Sequence, residues 1–151
     1  QVLYPLTVDG LPVFEQSGGP VGIAVSVSAR LKAVTGAWNI QTLAFDRSAY
    51  PAVTDSADIL AKLAEISGTA PEDDAAKGAT VHLGTPERGY IRYYRATGEG
   101  RTEQLFVPGL IFPVVKSENT PEWWVPQPVS VPLAKELLAE PQAGPAIPFM
   151  E

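Results

Sequence analysis

The chain of 151 residues contains no cysteine. Disulfides, thiolate metal sites and cysteine nucleophiles are excluded together. It has one histidine, His82. A histidine-based zinc site would draw nearly all its ligands from carboxylates, and no metal or cofactor is expected. A Ser-His-Asp triad has a single candidate base, so that chemistry is testable at one residue. Charge is also scarce: 19% of residues are charged, and 17 Asp and Glu against 11 Lys and Arg give a net charge of −6. Such a surface does not attract phosphate backbones or anionic lipid, so no nucleic-acid partner is expected. No apolar run reaches the roughly 18 residues of a membrane-spanning helix.

What is present is apolar and heavily punctuated. Hydrophobic residues make up 45% of the chain, enough to offset the entropy of ordering a core. Gly 13 and Pro 15 announce many turns and short elements. The length fits one domain, placed over 1–140, with a Pro-rich tail over 141–151. The chain begins at Gln1 rather than Met, as a trimmed chain or one that has lost a leader would. Few charges, many Pro and Gly and extended runs lean toward the periplasm or the extracellular space, with the cytoplasm left open.

Periodicity then places the elements. Residues 2–14 read as two extended pieces around Asp9 and Gly10, a dipeptide that favours a hairpin. Pro5 and Pro12 restrict these pieces to edge positions. Ser17 to Pro20 read as a turn. From Ile23, the residues Val25, Val27, Ala29, Leu31 and Ala33 alternate with Ala24, Ser26, Ser28, Arg30 and Lys32. This period of two predicts a long half-buried strand with its bulky face inward, a turn at Gly36 and an antiparallel neighbour over 37–46. The pair is expected to anchor the sheet.

Helical spacing of Ile59, Leu60, Leu63 and Ile66 predicts the main helix at about 55–67, capped by Thr54, Asp55 or Ser56 and covering a sheet face. Residues 69–78 read as an exposed loop. A short strand follows over 79–84, and a turn over 85–89. The segments 90–97 and 101–107 flank Gly98, Glu99 and Gly100 as a hairpin. With Thr97 opposite Arg101, Arg95 faces Glu103, Tyr93 faces Leu105 and Ile91 faces Val107, which pairs opposite charges near the tip and apolar groups at the base. An extended run broken by Pro113 leads to an irregular segment over 117–128. Ser130 then reads as the cap of a short helix over 131–140, with Pro132 in its first turn and Leu133, Leu137 and Leu138 inward. The fold class is α+β: an antiparallel sheet of about five to seven strands packed by one main and one short helix.

Each candidate site has an ordinary explanation beside it. Ser17 to Pro20 lack the lysine and spacing of a phosphate loop, so a plain turn is preferred. His82 alternates with Val81 and Leu83 and has no nucleophile elbow nearby, so a solvent-facing imidazole is preferred over a catalytic base. Glu72, Asp73 and Asp74 are adjacent rather than alternating, which fits a solvated loop better than a calcium site. Tyr90, Arg92, Tyr93, Tyr94 and Arg95 mix rings and cations on the hairpin, with part of that set committed to cross-strand packing. Trp123 and Trp124 point opposite ways in an extended stretch, which leaves one free to anchor a partner; a loop pinned over the core by both rings is the equal alternative.

The resulting expectation is a non-catalytic protein-binding or assembly domain. It would meet another protein, or further copies of itself, through a sheet edge, the hairpin and the aromatic loop, using Tyr90, Arg92, Tyr94, Trp123, Trp124 and Phe149. Two alternatives stay open: a small hydrolase-like enzyme working through carboxylates or His82, and a carrier with an apolar cavity.

Overall fold

A computed structural model describes residues 1–68, 79–97, 101–120 and 125–139. The acidic loop with Glu72, Asp73 and Asp74, the hairpin tip 98–100, Trp123, Trp124 and the tail with Phe149 lie outside the described residues. In chain order the elements are β1 (Val2–Pro5), β2 (Thr7–Val8), β3 (Leu11–Glu15), β4 (Gly22–Ser28), β5 (Ala33–Trp38), α1 (Ser56–Gly68), β6 (Thr80–Leu83), β7 (Glu87–Thr97), β8 (Arg101–Phe112), β9 (Val114–Glu118), β10 (Val129–Pro132) and α2 (Lys135–Ala139). Among the described residues the strands form three sheets, ordered β1-β4-β5, β10-β8-β7-β3-β2 and β6-β9, the largest with five strands. The α+β class holds, with one pairing that is parallel, β3 to β7.

The long β7–β8 hairpin is the structural spine. Its register is the one read from the sequence: Arg95 opposite Glu103, Tyr93 opposite Leu105 and Ile91 opposite Val107. Ile91, Val107 and Ile111 are buried on one face, while Val13, Phe112 and Val131 are buried from the other. Burial on both sides makes this five-stranded sheet the core. Gly89 and Gly109 face each other across the hairpin, and their missing side chains admit Phe14 and Ile91 to close contact.

The Asp9–Gly10 hairpin forms as expected, with Val8 opposite Leu11 and both turn residues at positive φ. Pro5 ends β1, an edge strand. Pro12 lies on β3 one residue before its ladder with β7 begins at Val13, so its missing donor interrupts nothing there. Asp55 caps α1: its Oδ1 accepts a hydrogen bond from Ala57 N at 2.9 Å. The helix packs against β10, but its inward stripe runs through Ile59, Lys62, Leu63 and Ile66. Leu60 is exposed, and Lys62 takes the buried place while its ammonium holds Glu65 at 3.0 Å.

Three expectations are corrected. First, β4 stops at Ser28 and the chain turns over 29–32, not at Gly36. Ser28 Oγ accepts a bond from Leu31 N, and Lys32 adopts a left-handed φ of 51°, which together close the turn locally. Gly36 instead lies within β5 against the Trp38 ring. Second, no strand runs on through 41–46. Asn39, at φ 59°, ends β5, and its Nδ2 donates to Gly22 O. The following segment crosses the core sheet, where Phe45 meets Phe106 edge-on at 5.5 Å and Ala52 bridges Ala134. Third, Ser130 and Pro132 belong to β10, and the second helix starts only at Lys135. Ser130 Oγ donates to Gln16 O at 2.5 Å, so the hydroxyl ties β10 to the loop after β3 rather than capping a helix.

Candidate functional site

The alternation read over β4 is real, but its phase with respect to the core is reversed. In antiparallel pairs, residues directly opposite one another share a face. Val2 lies opposite Val25, and Val25 opposite Ala37; Tyr4 lies opposite Ile23, and Val27 opposite Val34. These side chains form one face of the β1-β4-β5 sheet, and it is open: Val2 is 48% exposed, Tyr4 61%, Ile23 38%, Val27 53% and Val34 64%. The other face carries Leu3, Ala24 and Trp38 in one row, with Ala24 buried. In that row only Ala24 is buried, and Leu3 and Trp38 at the two edges of the sheet are exposed as well. No residue of the three strands is charged.

The edges of this sheet are less inviting than its face. β1 closes at Pro5, which has no donor. Along β5, Ser26 opposes Gly36 and Val27 opposes Val34, so Thr35 is an extra residue that bulges the strand. Bulges and prolines are the usual means of blunting an edge.

The hairpin divides its cations and rings between packing and exposure. Arg92 clamps Glu15 with two nitrogens, Nε at 3.2 Å and Nη2 closer, and its side chain is only 12% exposed. Its guanidinium also lies 5.2 Å from the centre of the Tyr94 ring. Tyr94 itself is exposed, while Tyr90 is half-buried. Arg95 pairs with Glu103 at 2.8 Å, and that hydrogen bond, reinforced by the Glu103 charge, raises the arginine above its ordinary pKa. Between the hairpin and the 42–50 segment runs an open groove of about 1110 Å³, lined by Phe45, Tyr50, Tyr90 and Phe106 among others. Among its charged residues Arg47 pairs with Asp9 at 2.7 Å and Arg95 with Glu103.

His82 is on β6, exposed as the alternation requires, with Nε2 3.4 Å from Glu118 Oε1. It does not line the groove. Among the described residues no cluster of His, Asp and Glu is arranged to hold a metal ion, and no helix is long and apolar enough to cross a membrane. Lys116 Nζ reaches Glu118 at 2.5 Å; that bond, more than His82, holds the Glu118 carboxyl below the ordinary carboxylate range. A depressed folded-state pKa stabilises the fold above the unfolded value, and the stabilisation is lost as pH falls through the folded value. The β6–β9 ribbon is therefore expected to loosen on acidification, and Glu118→Gln to flatten that dependence. Amide chemical shifts of Thr80, Val81 and Ser117 followed against pH provide the check.

Of the residues named from sequence, Tyr94 is exposed, whereas the Arg92 guanidinium is taken up by Glu15; the exposed β4 face is not legible locally, because bulky alternating residues read as core. The signal available was the absence of charge across all three strands. No protein-family model, no curated protein and no solved structure matches this chain.

Proposed function

We propose that the protein is a non-catalytic binding or assembly domain, and that it meets another protein through the open face of β1-β4-β5, with the Tyr94 side of the hairpin as a second contact. The observation that carries this reading is the set of bulky, uncharged side chains standing half out of water on one sheet face. A contiguous apolar patch of this kind marks an interaction surface, because leaving it wet forgoes roughly 25 cal/mol for each Å². The blunted edges favour contact by the face over strand addition. Export from the cytoplasm accompanies the proposal on compositional grounds, since the chain combines little charge with many prolines and glycines.

The test is a photo-cross-linking residue placed at Val27 and, separately, at Tyr94, in protein produced in its native source. Adducts with a protein are expected from Val27 and, in lower yield, from Tyr94. A control at the exposed Glu136 of α2 is expected to give none. Equal labelling at all three positions, or none at Val27, would count against the reading.

A further inference from the structure

We infer that the outer edge of β8, from Thr102 to Phe106, takes up an extended strand of another protein, added antiparallel in line with β10. This edge belongs to a different sheet from the contact face proposed above. β8 pairs with β7 along nearly its whole length, from Arg101 to Ile111. On its other side β10 covers only Gly109 to Phe112, and Leu133 N extends that contact by donating to Pro108 O at 2.8 Å. The chain then enters α2 and leaves the rest of the edge. In an antiparallel pair the N–H and C=O of one residue point to the same side, and the side alternates along the strand. Pro108 O points away from β7, so the N–H and C=O groups of Phe106, Gln104 and Thr102 point away from it too. The β7–β8 register runs through these residues without a shift, which keeps the alternation intact. Among the described residues, none bonds to the backbone of those three on that side.

An unpaired row of alternating backbone donors and acceptors selects its occupant by chemistry: it fits another extended backbone. β10 already occupies the same edge in this way a few residues further on. Nothing blunts the row. No proline and no bulge interrupts 101–107, and Thr102, Gln104 and Phe106 carry no charge. The flanking side chains set the character of the incoming strand. Next to β10 it meets the Phe106 ring, which stands edge-on to Phe45, and on the opposite face it meets the half-buried Leu105. Apolar side chains fit at that end. Toward the hairpin tip it lies beside the exposed Glu103, on the side away from Arg95. An acidic residue is disfavoured there, and the net charge of −6 favours a neutral or basic strand overall. A second copy offering its own edge would bring the same charge of −6, so the strand belongs to a different protein.

Hydrogen exchange followed amide by amide on the full chain reads this out. In the free protein the Gln104 and Phe106 amides are expected to exchange at least about tenfold faster than those of Leu105 and Val107, which face β7. The probe is a synthetic peptide of alternating valine and threonine with a lysine at each end. At saturation it is expected to slow exchange at Thr102, Gln104 and Phe106 by about tenfold or more. The same peptide with its central amides N-methylated is expected to protect none of them. Gln104→Pro removes an outward donor without touching a bond to β7, and is expected to weaken peptide binding about tenfold. Gln104→Ala keeps that donor and is expected to bind as the wild type does. Should the proline variant fail to fold, the N-methylated peptide still decides. Slow exchange at Gln104 and Phe106 in the free protein overturns the inference, as does protection that grows with protein concentration alone. A valine–threonine peptide that protects none of the three amides overturns it too. So does an N-methylated peptide that binds equally well, or a folded Gln104→Pro chain that binds normally.

Discussion

Ile91→Ala is expected to destabilise the protein by about 2–5 kcal/mol, a large share of the roughly 5–15 kcal/mol that holds a domain folded. Ile91 is fully buried at the middle of the β7–β8 hairpin, opposite Val107 and one strand away from Phe14. Its Cδ1 fills the space left by the missing side chain of Gly109, where an added Cβ would overlap it. Truncation therefore removes apolar burial and opens a void on the most enclosed row of the sheet. The surrounding strands are hydrogen-bonded on both sides of β7 and have little freedom to collapse into it. Denaturant unfolding with an unchanged slope is the measurement. A loss below about 1 kcal/mol would contradict the assignment of this row as the core.

The second large effect is expected at Gly18. Its φ is +81°, in the left-handed region, and a Cβ there would collide with the backbone carbonyl of Pro128. The loop it closes is held by Gly18 N donating to Glu15 O and Glu15 N to Gly19 O, while Ser130 Oγ fastens Gln16 O from β10. Positive φ costs an L-residue about 1–2 kcal/mol, and backbone overlap adds to it, so Gly18→Ala is expected to cost about 2–4 kcal/mol. Gly10→Ala supplies the comparison, because Gly10 shares the positive φ but has open space around its Cα. Its cost is expected to stay near the conformational share alone. Equal losses at the two glycines, read from thermal unfolding, would remove the contact between this loop and β10 from the account.

The local parts of this fold are legible in the sequence, and the non-local parts are not. Asp9 and Gly10 specify their hairpin by turn chemistry, Asp55 specifies a helix start, and alternating partners from Ile91 to Thr97 specify a register. Each is decided within a few residues. The parallel pairing of β3 with β7 joins segments more than seventy residues apart, and nothing in either segment names the other. Ser130 and Pro132 read locally as a helix start, but hydrogen bonding to β8 and to Gln16 decides for strand. The turn at 29–32 is closed by the Ser28 hydroxyl and a left-handed Lys32, a weaker cue than the glycine four residues on.

The sheet face is a different kind of miss. Ile23, Val25 and Val27 read as inward because bulky alternating residues usually are, yet Ile23 and Val27 are exposed and Val25 is half-buried. Arg92 shows the converse. A cation among tyrosines reads as a binding residue, yet the parallel β3 brings Glu15 beside it and occupies the guanidinium. Trp123, Trp124 and Phe149 lie outside the described residues, so their part in any contact stands as proposed from sequence.

On the proposed function, this protein works by contact at the β1-β4-β5 face and not by chemistry at its single imidazole. A complementation assay in the native source compares the two directly, with Val27→Lys against His82→Ala, each shown to be folded and present at the wild-type level. Loss of function with the lysine and full function with the alanine is the expected result. A chain that works normally with Val27→Lys and fails with His82→Ala would contradict the account.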